Sequence, residues 1–297
     1  MTEAETSVTP VTLATAMASY LEDVAHARTE NVFFNHVSLS KRFLEYFATL
    51  RPVATVDRMR RPDCLAFLEW YTHKRGSFTP ATYNMGVEFL RRFGRFCAGR
   101  GWNKEVLAAD IPYQTIAVEV PKVLTADERA RLVEAAAADD FNRTLVGLLA
   151  EVGLKKQELV GLRFADTDLE EPGPAIVVRY SGKLQKKSRR LTLPAGLAAA
   201  MRRYVEQRKL AGTYNLLEPL VPITGRQVNN IITALCREAD IRRANPQMLR
   251  DTAAVHLLKA GRPADEVGRQ LGYTPRGYLL EFLPRFQLWI DASEGNG

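Results

Sequence analysis

The sequence predicts a mainly helical protein with a small β-sheet, divided into two domains over residues 1–118 and 119–297. Apolar residues recur at helical spacing across 12–118. A stretch without helical period follows at 110–121, and beyond it helical patterns surround one pair of β-rich runs. A length of 297 residues is ordinary for two domains.

In the first domain Leu13, Met17, Tyr20, Leu21 and Val24 share a helical face, as do Phe43, Tyr46, Phe47 and Leu50, then Cys64, Phe67, Leu68 and Tyr71. Thr79 followed by Pro80 pairs an N-cap with a proline at the first helical position. The helix it opens carries Tyr83, Val87, Leu90, Gly94 and Cys97, with Phe89, Phe93 and Phe96 beside them, a core stripe. Arg91, Arg92 and Arg95 stand at the edge of that stripe, and Gly99 and Gly101 end the helix. The second domain opens with Thr125-Ala-Asp-Glu128, a capping box ahead of a helical run at 132–137. Another helix covers 143–152 and stops at Gly153. The run 175–180 faces 191–193 across a basic turn, which makes a hairpin. Helices resume from Leu197, from Arg226, over 246–260, and from Pro263 to Gly272.

With 46% hydrophobic and 25% charged residues the composition is that of a globular domain, not a collagen, a coiled rod or a disordered chain. No apolar run approaches the roughly 20 residues of a membrane helix, so no membrane association is expected. Cys64, Cys97 and Cys236 fit neither a disulfide framework nor a CxxC metal site, and free thiols in a reducing compartment are expected. Residues 1–10 carry Glu3 and Glu5 and no secretory pattern, which points to the cytoplasm. His26, His36 and His73 lack partners at ligand spacing, and no Gly-rich phosphate loop is present. Neither a metal, a cofactor nor a small-molecule substrate is expected.

The 41 basic and 34 acidic residues give a net charge of +7. Residues 1–120 hold 14 basic and 13 acidic side chains, the remainder 27 and 21, so the surplus belongs to the second domain. It clusters at Lys183, Lys186, Lys187, Arg189 and Arg190, and again at Arg242 and Arg243. Such a run is a solvated face or, within a strand-turn-strand pattern, a contact for a polyanion.

Several segments carry a resemblance. Phe78-Thr-Pro-Ala-Thr82 and then Leu90-Arg-Arg-Phe93 lie in the first domain, and Pro121-Lys-Val-Leu124 opens the second. Gly153-Leu-Lys155-Lys-Gln-Glu158, Gly182-Lys183, Gln247-Met-Leu-Arg250-Asp251, His256 and Leu271-Gly-Tyr273 follow in order. In this order they resemble the tyrosine recombinases of the phage integrase family. The resemblance implies a helical core-binding domain and a recombinase-type catalytic domain that close on duplex DNA as a C-shaped clamp. It also implies metal-free strand cleavage by a tyrosine, with two arginines clamping the phosphate.

The matching positions depart from that pattern. Lys155 stands at the first arginine, Gln247 and Tyr273 at the two histidines, and Phe282 where the nucleophilic tyrosine belongs. Lysine gives a point charge without a bidentate fork, and glutamine cannot exchange a proton near neutral pH. Glu158, Lys183 and Arg250 match the family. Tyr278, about one helical turn before Phe282, is the candidate substitute nucleophile, or simply a packed tyrosine. The expectation is a nucleoid-associated duplex DNA-binding protein, inactive in cleavage, that serves as a site-specific regulator or repressor, or as an architectural protein. The alternatives are an active recombinase using Tyr278 and a scaffold that has lost DNA. Expected DNA contacts are Lys155, Lys183, Lys186, Lys187, Arg189, Arg190 and Arg250, with Arg91, Arg92 and Arg95 on the other jaw. The tail with Phe286, Trp289 and Ile290 either docks on its own domain or is exchanged in self-association on DNA.

Overall fold

The computed structural model describes residues 10–27, 30–51, 55–74, 79–179 and 188–294. The chain divides into two compact units, Met1–Ala117 and Val118–Gly297. The first contains α1 (Leu13–Ala27), α2 (Glu30–Thr49), α3 (Arg61–Lys74) and α4 (Pro80–Gly99). Its core is aromatic: Phe43 packs edge-on against Phe67, Phe89 and Phe93, and Tyr20 meets Phe89 and Phe93. The Thr79 hydroxyl accepts from the Thr82 backbone N–H, so α4 starts where its cap and proline require. Val87, Phe89, Leu90, Phe93, Gly94 and Cys97 form the buried face of α4. Gly94 is obligatory there, because a Cβ would lie 2.4 Å from the Leu107 carbonyl oxygen.

The second unit runs α5 (Ala126–Ala136), α6 (Asp140–Ala150), α7 (Lys156–Gly161), β1 (Thr167–Asp168), β2 (Ala175–Arg179), β3 (Ser188–Thr192), α8 (Ala195–Leu210), α9 (Gly225–Glu238), α10 (Pro246–Lys259) and α11 (Ala264–Gln270). A single turn, α12 (Pro275–Gly277), leads into a π-helical turn, Tyr278–Phe282, and then α13 (Leu283–Glu294). Thr125 and Glu128 complete the capping box at the start of α5. Helix α6 is the central pillar, buried from Arg143 to Ala150, with α5, α8 and α10 packed around it.

The strands form one antiparallel sheet in the order β1-β2-β3. Here the hairpin differs from the sequence reading. Arg189 and Arg190 are not turn residues: they lie in β3, opposite Val178 and Val177. The strand alternates as period two demands, with Ser188, Arg190 and Thr192 outward and Arg189 and Leu191 turned inward. Lys183, Lys186 and Lys187 lie outside the described residues.

A second apolar cluster of this unit joins α10, α11 and α13 through Ala254, Val255, Val267, Leu271, Phe282 and Phe286. The terminal helix therefore docks on its own unit, with Phe286 buried and Trp289 beneath the Lys259 ammonium. Among the described residues no helix is long and apolar enough to cross a membrane.

Candidate nucleic-acid interface

Gly153 terminates α6 in the left-handed conformation (φ 83°) and turns the chain into Lys155, the residue ahead of α7. Glu158 holds that turn from within α7, its carboxylate accepting from the Lys155 backbone N–H at 2.9 Å. The same carboxylate takes both Arg189 Nη atoms, at 3.0 and 2.8 Å, while Arg189 Nε donates to the Gln270 carbonyl oxygen. One buried ion pair thus ties α7, β3 and the end of α11 together. Arg189, expected on the DNA, is committed to this inner tie because β-sheet alternation points it into the domain. Arg190 faces outward, where it pairs with Asp168 and bonds the Gly173 carbonyl oxygen.

Arg250 sits on α10 and is almost fully buried, 2% exposed. Its Nη1 donates to the Gly153 carbonyl oxygen at 2.5 Å and its Nη2 to the Leu271 carbonyl oxygen at 2.6 Å. The guanidinium therefore stitches the α6–α7 turn to the end of α11, which brings Lys155 and Tyr273 to one place. Its carbon lies 5.3 Å from the centre of the Tyr273 ring. Burial, above all, holds the Arg250 pKa below the ordinary arginine value.

Lys155, Gln247 and Arg250 line two adjoining hollows. In one they are joined by Lys156, Asn229 and Asn245. In the other, about 390 Å³, the walls are completed by Tyr273, Glu281 and Arg285. The Gln247 amide is turned to Asp251, donating at 2.8 Å, and Arg285 Nη2 donates to the other Asp251 oxygen at 2.8 Å. Asp251 is buried, and that burial raises its pKa even though Arg285, Gln247 and Arg250 oppose the shift. Asp251, Glu281 and Arg285 were missed by sequence reasoning. Asp251 had a signal, since it lies one turn after Gln247 on the same helix face. Arg285 had none, because its approach depends on how α13 docks.

Lys155 stays exposed, yet desolvation first, and then the neighbouring Arg250 cation, hold its ammonium below the usual lysine range. A lowered lysine pKa means that this positive charge is lost at a lower pH than that of an ordinary lysine. Polyanion binding should therefore weaken as pH rises towards about 10, the ordinary lysine value. A titration of Kd against pH checks this, and Lys155→Gln should flatten the alkaline limb.

The one candidate hydroxyl, that of Tyr278, does not reach the hollow. Phe282 is fully buried, packed against Phe286 and Tyr273. The Tyr278 ring stacks on Phe282 at 5.5 Å and lies over Gly268, where a Cβ would come within 2.6 Å of it. Tyr278 is not among the residues lining the hollow, whereas Glu281 is.

In the first unit two of the three arginines are engaged internally. Arg91 donates to the carbonyl oxygens of Ala108 and Ile111 and covers the Tyr113 ring, clamping the segment after α4. Arg92 pairs with Glu88 one turn earlier. Arg95 is exposed and within the electrostatic reach of Glu88. Of these three candidates for the first jaw, Arg91 is thus held by the segment that follows its helix and Arg92 by Glu88 on the same helix, while Arg95 remains exposed. Among the described residues no group of His, Cys, Asp and Glu could hold a metal ion.

A helical unit followed by a mixed unit, with a cationic hollow where α7, α10 and the end of α11 meet, defines the class. Residues 122–276 match the phage integrase family, and the chain belongs to that family of tyrosine recombinases. It is 29% identical over 201 residues to a tyrosine recombinase XerC of Thermodesulfovibrio yellowstonii, covering 62% of this chain and 64% of the relative. It is 26% identical over 250 residues to a putative integrase/recombinase of Sinorhizobium fredii, covering 78% of this chain and 57% of that protein. The chain thus spans less than two thirds of the length of these two relatives. Among solved structures, the XerH site-specific recombinase in a post-cleavage complex with a palindromic difH substrate aligns with a TM-score of 0.68 at 17% identity, over 96% of each chain. A lambda integrase dimer on a core site aligns with a TM-score of 0.66 at 16% identity, over 89% of this chain and 75% of that one. These likenesses show the fold.

Proposed function

We propose that the protein binds duplex DNA through the hollow formed by Lys155 and Arg250 and does not cleave it. It serves as a site-specific regulator or repressor, or as an architectural protein. The observation that carries this reading is the pairing of a cationic hollow with a nucleophile position held by a buried phenylalanine. A phosphate in the hollow meets the charge of Lys155 and the edge of Arg250, contacts that position a duplex without reading its sequence. Gln247, hydrogen-bonded to Asp251, supplies polarity and no proton transfer. Relatives described as recombinases bound to DNA support the choice of partner, and the basic surplus of the second domain supports it independently. On this reading the helical first domain takes part in DNA binding and the protein works in the cytoplasm. Self-association on DNA would require α13 to leave the cluster around Phe286.

A second reading is favoured by one observation: Tyr278 begins a π-helical turn, and such turns recur at functional sites. On this reading the chain is an active recombinase whose nucleophile is the Tyr278 hydroxyl, and the turn would have to rearrange to bring that oxygen to the hollow.

The DNA-binding part is tested by titrating the full chain into a labelled duplex of mixed sequence at several salt concentrations. Binding with a steep loss of affinity between about 50 and 200 mM salt is expected. No binding at the lowest salt overturns the reading in favour of a protein-interaction scaffold.

A further inference from the structure

The site has lost the fork of one arginine, since Lys155 offers only a point charge. The hollow nevertheless contains a second guanidinium from another part of the chain. Arg285, on α13, lines the same wall as Lys155 and Arg250. Its side chain is 27% exposed, in contrast to the 5% of Asp251, which holds it at 2.8 Å. We propose that Arg285 is a phosphate-binding residue of this hollow, presented by Asp251 and supplying the planar donor set that Lys155 cannot. The proposal rests on the DNA-binding reading and goes beyond it by assigning a residue outside the matched motifs.

Three features of the geometry carry it. Asp251 engages Arg285 through Nη2, and a guanidinium has five N–H donors, so this contact fixes the group without exhausting it. Asp251 is itself fixed on its other oxygen by Gln247, so the Arg285 fork has one preferred placement. The cations around the hollow then number Lys155, Arg250 and Arg285 against the single exposed carboxylate of Glu281. A merely structural tie between α10 and α13 needs no donor in the hollow. A phosphate clamp does, and guanidinium donors suit the two non-bridging, charged oxygens of a phosphodiester.

The test uses the full chain and the same labelled duplex. The double variant Asp251→Asn with Arg285→Gln keeps a hydrogen-bonded pair of similar shape and removes both charges. Its plot of log Kd against log salt should be shallower by about one unit, the loss of one phosphate contact. Affinity at low salt should fall several-fold. Unchanged slope and affinity, in a variant that melts like wild type, overturn the proposal and leave the DNA-binding reading intact. If the double variant melts early, Arg285→Lys carries the test, because it preserves the ion pair. It should bind several-fold more weakly with the slope kept, and wild-type affinity overturns the proposal. No binding by the wild-type chain overturns both readings together.

Discussion

Arg250→Ala is expected to lower the melting temperature by about 6–12 °C and to remove duplex binding at moderate salt. The first effect follows from burial. Truncation leaves the Gly153 and Leu271 carbonyl oxygens without their charged donor inside the protein. Hydrogen bonds to charged groups contribute about 1.5–3 kcal/mol each, so a loss near 3 kcal/mol is a conservative figure. A unit of this size shifts by about 2–4 °C per kcal/mol. The second effect follows because Arg250 does two jobs: it faces the hollow, and it holds the segments that bring Lys155 and Tyr273 there. Calorimetry and a binding titration on the same sample measure both. Arg250→Lys should recover part of the binding and little of the stability, since one ammonium cannot reach two carbonyl oxygens placed for a fork.

Glu158→Ala is expected to be at least as damaging to the fold. The Glu158–Arg189 pair is nearly buried, with side chains 12% and 10% exposed. Removing one partner of a buried pair costs about 3–5 kcal/mol, because the other charge is stranded. It also deprives the Lys155 backbone N–H of its acceptor and loosens the turn that presents Lys155. Binding should therefore weaken although Glu158 is an acid whose removal makes the surface more positive. Simple charge counting predicts the opposite sign, which makes the comparison decisive. Asp168→Ala, which cuts the exposed pair with Arg190, should leave the melt unchanged.

The helices and their ends were legible in the sequence because their causes are local. Thr79 with Pro80, Thr125 with Glu128, and the apolar stripe of α4 each act within a few residues. The hairpin was legible as an element, but its register was not. The run from Lys183 to Arg190 reads as one basic turn, and only strand alternation separates Arg189, turned inward, from Arg190, turned to solvent. The resemblance singles out Lys155, Gln247, Arg250 and Tyr273, which the fold brings to one hollow, and Phe282, which lies in the apolar cluster instead. What those side chains do was not legible. That Arg250 spends its fork on two carbonyl oxygens, and that Gln247 and Arg285 meet on Asp251, depends on packing between segments distant in sequence. The same limit explains Arg91, which reads as an edge cation and is drawn onto the segment that follows its helix.

The claim that the site grips DNA without breaking it meets its most direct test in a nicked suicide duplex. Such a substrate traps any covalent protein–DNA intermediate, which a denaturing gel reveals as a slower band. On the proposed reading the wild-type chain should bind the duplex and give no such band, since Phe282 is buried and the Tyr278 ring packs against it. A covalent band from wild-type protein that disappears in Tyr278→Phe would contradict it and establish a working recombinase with a displaced tyrosine.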